Sequence, residues 1–446
     1  MDVLRNVAQN LEKNLGSELD QLARECGVVQ RERAFTGRTL LLMIVSTLLH
    51  KPDATWADFH LTAAKLDLEV TRTAIEKRFQ AGQPLTDFLR RAFERALQQV
   101  VPGVPTDCQL LHQFTAVHIG DATTIALPDE LAHLFAGCGG NDGTSGAALK
   151  IQVLWNLKTG ELTRLVLEPA RTSDAKSAIV EIPPEPGSLT VLDLGYFDLS
   201  RFQTENEKGA KLISRYQHGV GVFDLEGNRL NLVQFLSRWK TGLFDQDLLL
   251  GVQERLRVRF IAIRMPDEMA NRRRHKAREN ARKKGDKPPS AEYLELLGWS
   301  LFITNVPVEE LTWKEVVVLY RARWQIELLF KLWKSHNRLA KSRRGATAQE
   351  MLAIFYAKLL GVVLQNWIVM ATGGKLEARS LHNAAEVLRA EARELLTKLT
   401  HLADIVERLL ELQRVIRNLG GTRHRNDDPS FGQLIADPTL LDWLVE

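Results

Sequence analysis

Four polar side chains recur along residues 316–336, a segment that otherwise predicts an apolar helix. They are, in chain order, Tyr320, Arg323, Glu327 and Lys334. On one unbroken α-helix, at about 100° per residue, all four would lie within an arc of about 60°, along about 21 Å of its length. One carboxylate would then lie among two cations and a phenol. The alternative is a solvated helix face with a salt bridge, because Arg323 and Glu327 form an i, i+4 pair.

Two short segments with β-strand character each carry an aspartate near their end. Asp121 ends TAVHIGD and Asp193 ends LTVLD, and each shares a strand face with apolar residues because side chains alternate. Together with Glu327 they give three carboxylates on elements of one α/β core, which is what two-metal phosphoryl transfer requires. Hard oxygen ligands suit Mg²⁺ or Mn²⁺, and cations are needed to keep crowded carboxylates ionised. The sequence therefore predicts a site for two divalent ions.

Bulk properties narrow the class of protein. The chain has 446 residues, enough for two to four domains, and Lys plus Arg exceed Asp plus Glu by only 59 to 55. Three scattered cysteines without a CxxC pair fit neither a disulfide framework nor a zinc site, and they suit a reducing cytoplasm. The N-terminus shows no apolar signal segment. Residues 351–371 are apolar but include Lys358, Gln365 and Asn366, which favours a buried helix over a membrane span.

Residues 1–105 predict a helical N-terminal domain. Within it, TWADFHLTAAKLDLEVTRTAIEKRFQ indicates a helix, a short break and a second helix, which is the pattern of a helix-turn-helix. TRTAIEKRF would be its recognition helix, with Arg72, Lys77 and Arg78 able to contact phosphate. A plain helical hairpin is the alternative, and the nearly balanced charge of residues 1–100 leaves both open.

Short β-rich segments separated by turns follow until about residue 305, and the chain is then helical to its end. The basic stretch NRRRHKARENARKKGDK, residues 271–287, interrupts them with nine Lys or Arg against one Glu and one Asp. Repulsion among like charges predicts a solvated or disordered segment. Its function would be a phosphate-neutralising arm, with Arg272, Arg273 and Arg274 on DNA. The alternative is a solvated surface loop.

These motifs resemble those of a known family. Tyr320-x2-Arg323-x3-Glu327-x6-Lys334 has the spacing of the YREK signature of the insertion-sequence-four-like transposases, complete and without a gap. GDATTI and LDLGYF resemble the segments around that family's first and second catalytic aspartates. GWSLFITNVPVEE is similar to the end of its β-rich insertion. The resemblance extends over about residues 105–345.

The resemblance implies a cut-and-paste DNA transposase. Its RNase H-like α/β core would span residues 106–345, with a β-rich insertion at about 216–305, and a C-terminal helical region at 346–446 would contribute to dimerisation. Asp121, Asp193 and Glu327 would bind two Mg²⁺ or Mn²⁺ ions. Cleavage at the transposon end would free a 3′-OH, which in some members attacks the opposite strand to form a hairpin. The hairpin is reopened and the 3′ ends join target DNA.

The resemblance also implies roles for other side chains. Arg323 and Lys334 would hold backbone phosphates, Tyr320 would contact the DNA backbone, and Trp299 would stack on a flipped base. A tryptophan facing the core is the alternative for Trp299. The weaker candidates are a histidine beside the first aspartate and two possible phosphate contacts: His118, Lys150 and Arg215.

The expected partners are double-stranded DNA, as transposon ends and as target, and a second copy of the chain in a synaptic complex, all in the cytoplasm of a bacterium. Two other functions use the same residues. A metal-dependent nuclease would cut without joining, and strand-transfer products separate it from a transposase. A decayed transposase acting as a DNA-binding repressor would do neither, although all three carboxylates and the full set of four residues are present.

Overall fold

The computed structural model describes residues 2–30, 34–99, 101, 103, 108–139, 146–181, 183–239, 241–341, 345–372, 381–397, 402–419 and 431–444. The described chain is a mixed α/β protein, so the predicted α/β class is confirmed. It forms two compact units. The helical unit comprises Met1–Asp107, Asp121–Ser173 and Gln325–His424, and the sheet unit comprises Cys108–Gly120, Asp174–Trp324 and Arg425–Glu446. These units divide the chain differently from the three predicted domains, because N-terminal and C-terminal helices belong to one unit.

The strands are β1 (Val117–Leu127), β2 (Ala147–Asn156), β3 (Glu161–Pro169), β4 (Leu189–Leu192), β5 (Lys211–Arg215), β6 (Val222–Phe223), β7 (Leu243–Leu250), β8 (Leu256–Arg264) and β9 (Trp299–Thr304). The α-helices are α1 (Asp2–Asn14), α2 (Glu18–Glu25), α3 (Gly37–His50), α4 (Trp56–Lys65), α5 (Arg72–Phe79), α6 (Gln83–Leu97), α7 (Gln109–His112), α8 (Leu199–Glu207), α9 (Leu232–Ser237), α10 (Asp267–Lys284), α11 (Ala291–Leu296), α12 (Trp313–Arg321), α13 (Trp324–Lys331), α14 (Ala348–Thr372), α15 (Leu381–Thr397), α16 (Leu402–Leu419) and α17 (Phe431–Ala436).

The sheet unit is built on a mixed sheet with the order β1-β4-β5-β9-β8-β7-β6. The first residues of β1 run parallel to β4, and β4 runs parallel to β5, whereas the remaining neighbours are antiparallel. Aromatic and aliphatic side chains of β7, β8 and β9 form its core with those of α8 and α9. On the other face of β8, the buried Arg259 forms a bidentate ion pair with Asp245 of β7, at 2.6 Å for both contacts.

The helical unit packs its helices around α14. This helix contacts α1, α3, α6, α15 and α16, and its apolar window is buried throughout, which confirms the predicted buried helix. By length and composition alone α14 could cross a membrane, but the core helix of a soluble fold meets the same test. The predicted helix, break and helix in the N-terminal region are α4 and α5. Trp56, Phe59 and Phe79 pack between them, and the DNA-reading role stays a prediction.

The basic stretch after residue 270 is helical as far as Lys284 and largely exposed, so a solvated segment is confirmed and a disordered one is wrong. It forms α10, and Gly285 ends the helix in the left-handed conformation that glycine adopts without strain. Acidic residues lie in its first turn and basic residues in its last, which complements the helix dipole. Exposed i, i+4 pairs also support it, Arg272 with Glu268 and Lys283 with Glu279. The predicted β-rich insertion thus contains α9, α10 and α11 as well as strands.

Candidate active site

Parallel strands carry the two aspartates. In the register of β1 and β4, Gly120 is the partner of Leu192, and each is followed in sequence by one of the predicted ligands. Asp193 lies just after β4 and leads into a 3₁₀ turn, where its backbone carbonyl accepts a hydrogen bond from the Tyr196 N–H. The Asp121 carboxylate accepts the backbone N–H of Ala122 at 2.8 Å. Both side chains are partly exposed, as ligands of an incoming ion or substrate must be.

The segment with the four polar residues is not one helix, and that prediction is wrong. It consists of α12, a break, α13 and a π-helical turn at Leu332–His336. At the break the Arg323 N–H bonds to the Tyr320 carbonyl, three residues back, rather than to the carbonyl four residues back. The rotation of 100° per residue therefore does not continue from Tyr320 to Glu327. Tyr320 and Arg323 belong to the sheet unit, whereas Glu327 and Lys334 belong to the helical unit.

Within the sheet unit, Arg323 lies beside the second aspartate. Its Nε is 3.6 Å from Oδ1 of Asp193, and its guanidinium carbon is 5.9 Å from the centre of the Tyr320 ring. The Tyr320 ring packs edge-on against Phe302, at 5.3 Å between ring centres. Burial raises the pKa of Tyr320 above its usual value, so the phenol stays protonated and can donate a hydrogen bond. A carboxylate, a cation and a hydroxyl donor thus occupy one corner of this unit.

A cavity of about 640 Å³ opens beside this corner, entirely within the sheet unit. Four arginines, one tyrosine and one tryptophan line it together with apolar side chains: Arg215, Ile263, Met265, Met269, Arg273, Ser300, Phe302, Val317, Tyr320, Arg321, Arg323, Trp324, Phe431 and Leu434. Arg215 also lies over the Phe302 ring, at 5.5 Å. Cationic groups beside flat apolar walls suit a ligand that has both phosphate and an aromatic base.

The two tryptophans near this region differ in their surroundings. Trp299 of β9 is partly buried, packs against the core of the sheet unit and does not line the cavity. Trp324 does line it and is 56% exposed. Sequence reasoning missed Trp324, although its position directly after Arg323 was a usable signal. Arg215, a weaker candidate from the sequence, also lines the cavity.

Glu327 and Lys334 belong to the helical unit. Glu327 is partly exposed on α13, whose buried face is formed by Ile326, Leu329 and Phe330. Lys334 is exposed on the π-helical turn, and partial desolvation lowers the pKa of its ammonium group. Its exposed side chain can meet a phosphate.

Several other predicted DNA contacts have partners inside the protein. Arg78 donates to the Val28 carbonyl at 2.8 Å and lies over the Phe35 ring. Lys150 donates to the Thr172 carbonyl at 2.6 Å. Burial lowers the pKa of His118, which fits a structural histidine. These contacts compete with a role on DNA.

The arginines of α10 fall into two groups. Arg273 donates to the Trp299 carbonyl and to Ser300 Oγ, and Arg274 donates to the Leu294 carbonyl, so both anchor the helix. Arg272 is 78% exposed in its side chain. The exposed basic side chains further along α10, which sequence reasoning did not single out, are Lys276, Arg278, Arg282, Lys283 and Lys284.

The donor set of the site is suited to a hard divalent cation, because it consists of carboxylate oxygens. Across the described parts of the chain, however, no group of three or more His, Cys, Asp or Glu side chains is arranged to hold a metal ion. Asp193 faces the guanidinium of Arg323 instead. The oxygen donors of these carboxylates therefore fit Mg²⁺ or Mn²⁺ in chemical character.

Within the sheet unit, the carboxylate of Asp193 has a guanidinium and a phenol beside it, and groups of this kind can bind and orient a phosphate. Residues 112–360, more than half of the chain, match the model of the transposase DDE domain, and the chain belongs to that family. It is a transposase enzyme, as the sequence predicted. Enzymes of this family act on DNA and generally use divalent metal ions.

Relatives from three bacteria are transposases of insertion sequences. The chain is 27% identical over 391 residues to the transposase for IS231F of Bacillus thuringiensis subsp. israelensis, covering 81% of this chain and 79% of the relative. It is 22% identical to the transposase for IS1151 of Clostridium perfringens, over 80% of this chain and 78% of the relative. It is 24% identical to the putative transposase InsL for IS186A of Escherichia coli K12, over 79% and 90%.

Among solved structures, the chain is similar to the piggyBac transposase in a synaptic complex with hairpin DNA. The TM-score is 0.49 and the sequence identity 11%, over 95% of this chain and 87% of the other. That likeness is too weak to assign a mechanism.

Proposed function

We propose that the protein carries out cut-and-paste transposition of an insertion sequence, with Asp121, Asp193 and Glu327 as ligands of two Mg²⁺ or Mn²⁺ ions. The observation that carries this proposal is the parallel register of Gly120 and Leu192, each followed by an aspartate, together with Arg323 beside Asp193. An RNase H-like core is part of the proposal, and the parallel strands β1, β4 and β5 support it.

The chain's own residues would bind and orient the DNA for each step. When bound, the metal ions supply activation of the attacking oxygen and stabilisation of the leaving one. Arg323 can hold a phosphate in two-point contact near Asp193, and Lys334 can meet another as a point charge. The protonated phenol of Tyr320 can donate to a backbone oxygen. Nicking, hairpin formation and joining to target DNA would all be phosphoryl transfers at this one site.

The cavity of the sheet unit would receive a nucleotide from the DNA end. Its arginines match the phosphate, and its aromatic walls match a base taken out of the stack. Trp324 offers an exposed ring for stacking, and Trp299 could contribute only the part of its ring that is not packed against the core. A stacked base is worth about 1–3 kcal/mol by alanine substitution, which offsets a large part of the few kcal/mol that unstacking costs.

Helix α10 would bind DNA backbone without reading its sequence, through its exposed side chains rather than through Arg273 and Arg274. The proposed reaction brings two transposon ends together, which calls for a homodimer in the synaptic complex. It would take place on DNA in the bacterial cytoplasm. No base-reading role for α5 is included, because Arg78 is held by Val28 and Phe35.

The test is a Mg²⁺-dependent cleavage assay on DNA that carries the native element ends, resolved on a denaturing gel. Wild type would be compared with Glu327→Gln and with Glu309→Gln, an exposed carboxylate outside the proposed site. We expect nicks, hairpins and joined products from wild type and Glu309→Gln, and none from Glu327→Gln, while DNA binding is unchanged.

Other outcomes separate the alternatives. Nicks without joined products would indicate a nuclease. DNA binding without any metal-dependent product would indicate a repressor. Full cleavage by Glu327→Gln would remove this residue from the catalytic site.

A further inference from the structure

The π-helical turn at Leu332–His336 presents Lys334 to solvent between buried neighbours. Trp333 on one side is 1% exposed and His336 on the other is 6% exposed, whereas Lys334 and Ser335 are exposed. The Asn337 N–H bonds to the Leu332 carbonyl, five residues back, which closes the turn. Turns of this kind are rare, and they frequently occur at functional sites. The conformation of the turn therefore sets the position of the Lys334 backbone, from which its side chain extends.

Helix α15 holds the end of this turn. Nε2 of His336 lies 2.7 Å from Oε1 of Glu386, and the Arg389 guanidinium donates to the His336 carbonyl. Burial, with the nearby charge of Arg389, lowers the pKa of His336 to about 4, so the imidazole is neutral near pH 7. A neutral imidazole can give its one N–H to the Glu386 carboxylate.

Helix α14 holds the residues that follow the turn. Lys358, 4% exposed, donates from Nζ to the carbonyls of Arg338 at 2.8 Å and Lys341 at 2.6 Å. Asn337 Nδ2 donates to Gln365 Oε1 at 2.7 Å. Arg338 itself has a φ of +48°, a strained conformation that persists only where the surroundings impose it. Helices α14 and α15 thus hold the turn and the residues that follow it through several hydrogen bonds and an ion pair.

We propose that Glu386, Arg389 and Lys358 are positioning residues. They fix the turn so that the Lys334 ammonium group lies where it can contact a phosphate of the bound DNA. The inference rests on the proposed role of Lys334. Such a network of contacts, beside a strained residue at Arg338, is not needed for an ordinary surface lysine, whose side chain is flexible. Such a network is needed where the ammonium group must be held at one position, because a displacement of about 1 Å in a reacting complex can lower the rate about 100-fold.

A double-mutant cycle tests this directly. Glu386→Gln, Lys334→Ala and the double variant would be compared for the rate of first-strand cleavage of pre-bound DNA at saturating Mg²⁺. We expect Glu386→Gln to lower this rate by about 10-fold or more in the wild-type background. In the Lys334→Ala background it should have almost no further effect, because residues that act through one another are not additive.

Matched variants keep the test specific. Glu391→Gln removes a carboxylate from the same helix, one that pairs with Arg408 instead, and it should leave the rate unchanged. If Glu386→Gln does not fold, Arg389→Lys keeps the charge but loses the guanidinium geometry and takes its place in the cycle. Thermal unfolding of each variant shows whether a lowered rate merely follows lowered stability.

Three results would overturn the inference. One is an equal loss of rate from Glu386→Gln with and without Lys334, which is the signature of a general structural brace. Another is an unchanged rate in Glu386→Gln when Lys334→Ala is slow. The third is full cleavage by Lys334→Ala, which also removes the proposed role of Lys334, whereas the first two leave that role intact.

Discussion

Replacing Lys276, Arg282 and Lys283 of α10 by glutamine should flatten the salt dependence of DNA binding. All three side chains are exposed, and at about 100° per residue they lie within about 120° of the helix circumference. They can therefore face one DNA backbone together. The anchoring face of the helix, with Arg273 and Arg274, is left unchanged, so the helix should stay in place.

The magnitude follows from counterion release. Each phosphate contact contributes about 0.9 to the slope of the logarithm of affinity against the logarithm of salt concentration, so three contacts contribute about 2.7. Between about 50 and 200 mM salt, wild type should then lose roughly 40-fold more affinity than the triple variant. The exposed Lys283–Glu279 pair does not change this estimate, because such pairs are worth little and are easily exchanged for phosphate.

Fluorescence anisotropy with a duplex of arbitrary sequence would measure the slope. A control variant with glutamine at Lys208, Arg229 and Arg238, all exposed and outside α10, loses the same net charge. It should keep the wild-type slope. If the α10 variant lowers the slope by less than about 0.9, the value for one phosphate contact, α10 is not a DNA-binding surface. If the control variant lowers the slope as much as the α10 variant does, only net charge matters.

Three further predictions concern stability and the cavity. Arg259→Met should lower the free energy of unfolding by about 3–5 kcal/mol in urea titrations, because it leaves the Asp245 carboxylate without its buried partner; a loss below 1 kcal/mol would contradict this. Burial lowers the pKa of Lys358 to about 7, against 10.5 for the ordinary group, so the unfolded chain binds more protons between these values. The free energy of unfolding of wild type should therefore rise with pH, by up to about 1.4 kcal/mol per unit between about pH 7 and 9, relative to Lys358→Met; parallel curves would refute the shift. Trp324→Ala should slow second-strand cleavage more than first-strand nicking, whereas Trp299→Ala should also lower the melting temperature, and equal effects on both cleavage steps would argue against stacking on a flipped base.

The parts of the fold that depend on local pattern were predictable. Alternating apolar residues before Asp121 and Asp193 indicated strands, and both strands are present. Asp193 directly follows β4 as predicted, whereas β1 continues past Asp121 to Leu127, so the predicted strand end at Asp121 is wrong. The apolar stretch of α14 indicated a buried helix because polar groups interrupt it. In each case the residues that determine the element are neighbours in sequence.

The remaining features depend on contacts between distant residues. Charge composition predicted a solvated or disordered segment at α10. The segment is ordered because anchoring of Arg273 to β9 adds a tertiary contribution that composition does not contain. The cavity combines Arg215, Tyr320 and Phe431, which lie on three separate parts of the chain. No pattern within one segment could have brought them together. The position of Trp324 after Arg323 makes it a candidate, but its place in the cavity wall depends on these distant residues.

The break after α12 changes what the spacing of the four polar residues means. A continuous helix would place Tyr320, Arg323, Glu327 and Lys334 on one stripe of one element. The structure instead assigns the first two to the unit that contains Asp193, and the last two to the unit whose α14 and α15 hold the π-helical turn. The spacing therefore cannot be a matter of helical phase. In the proposed reaction it would meet two separate requirements, a guanidinium next to a carboxylate in one unit, and a carboxylate and an ammonium on neighbouring helical segments in the other.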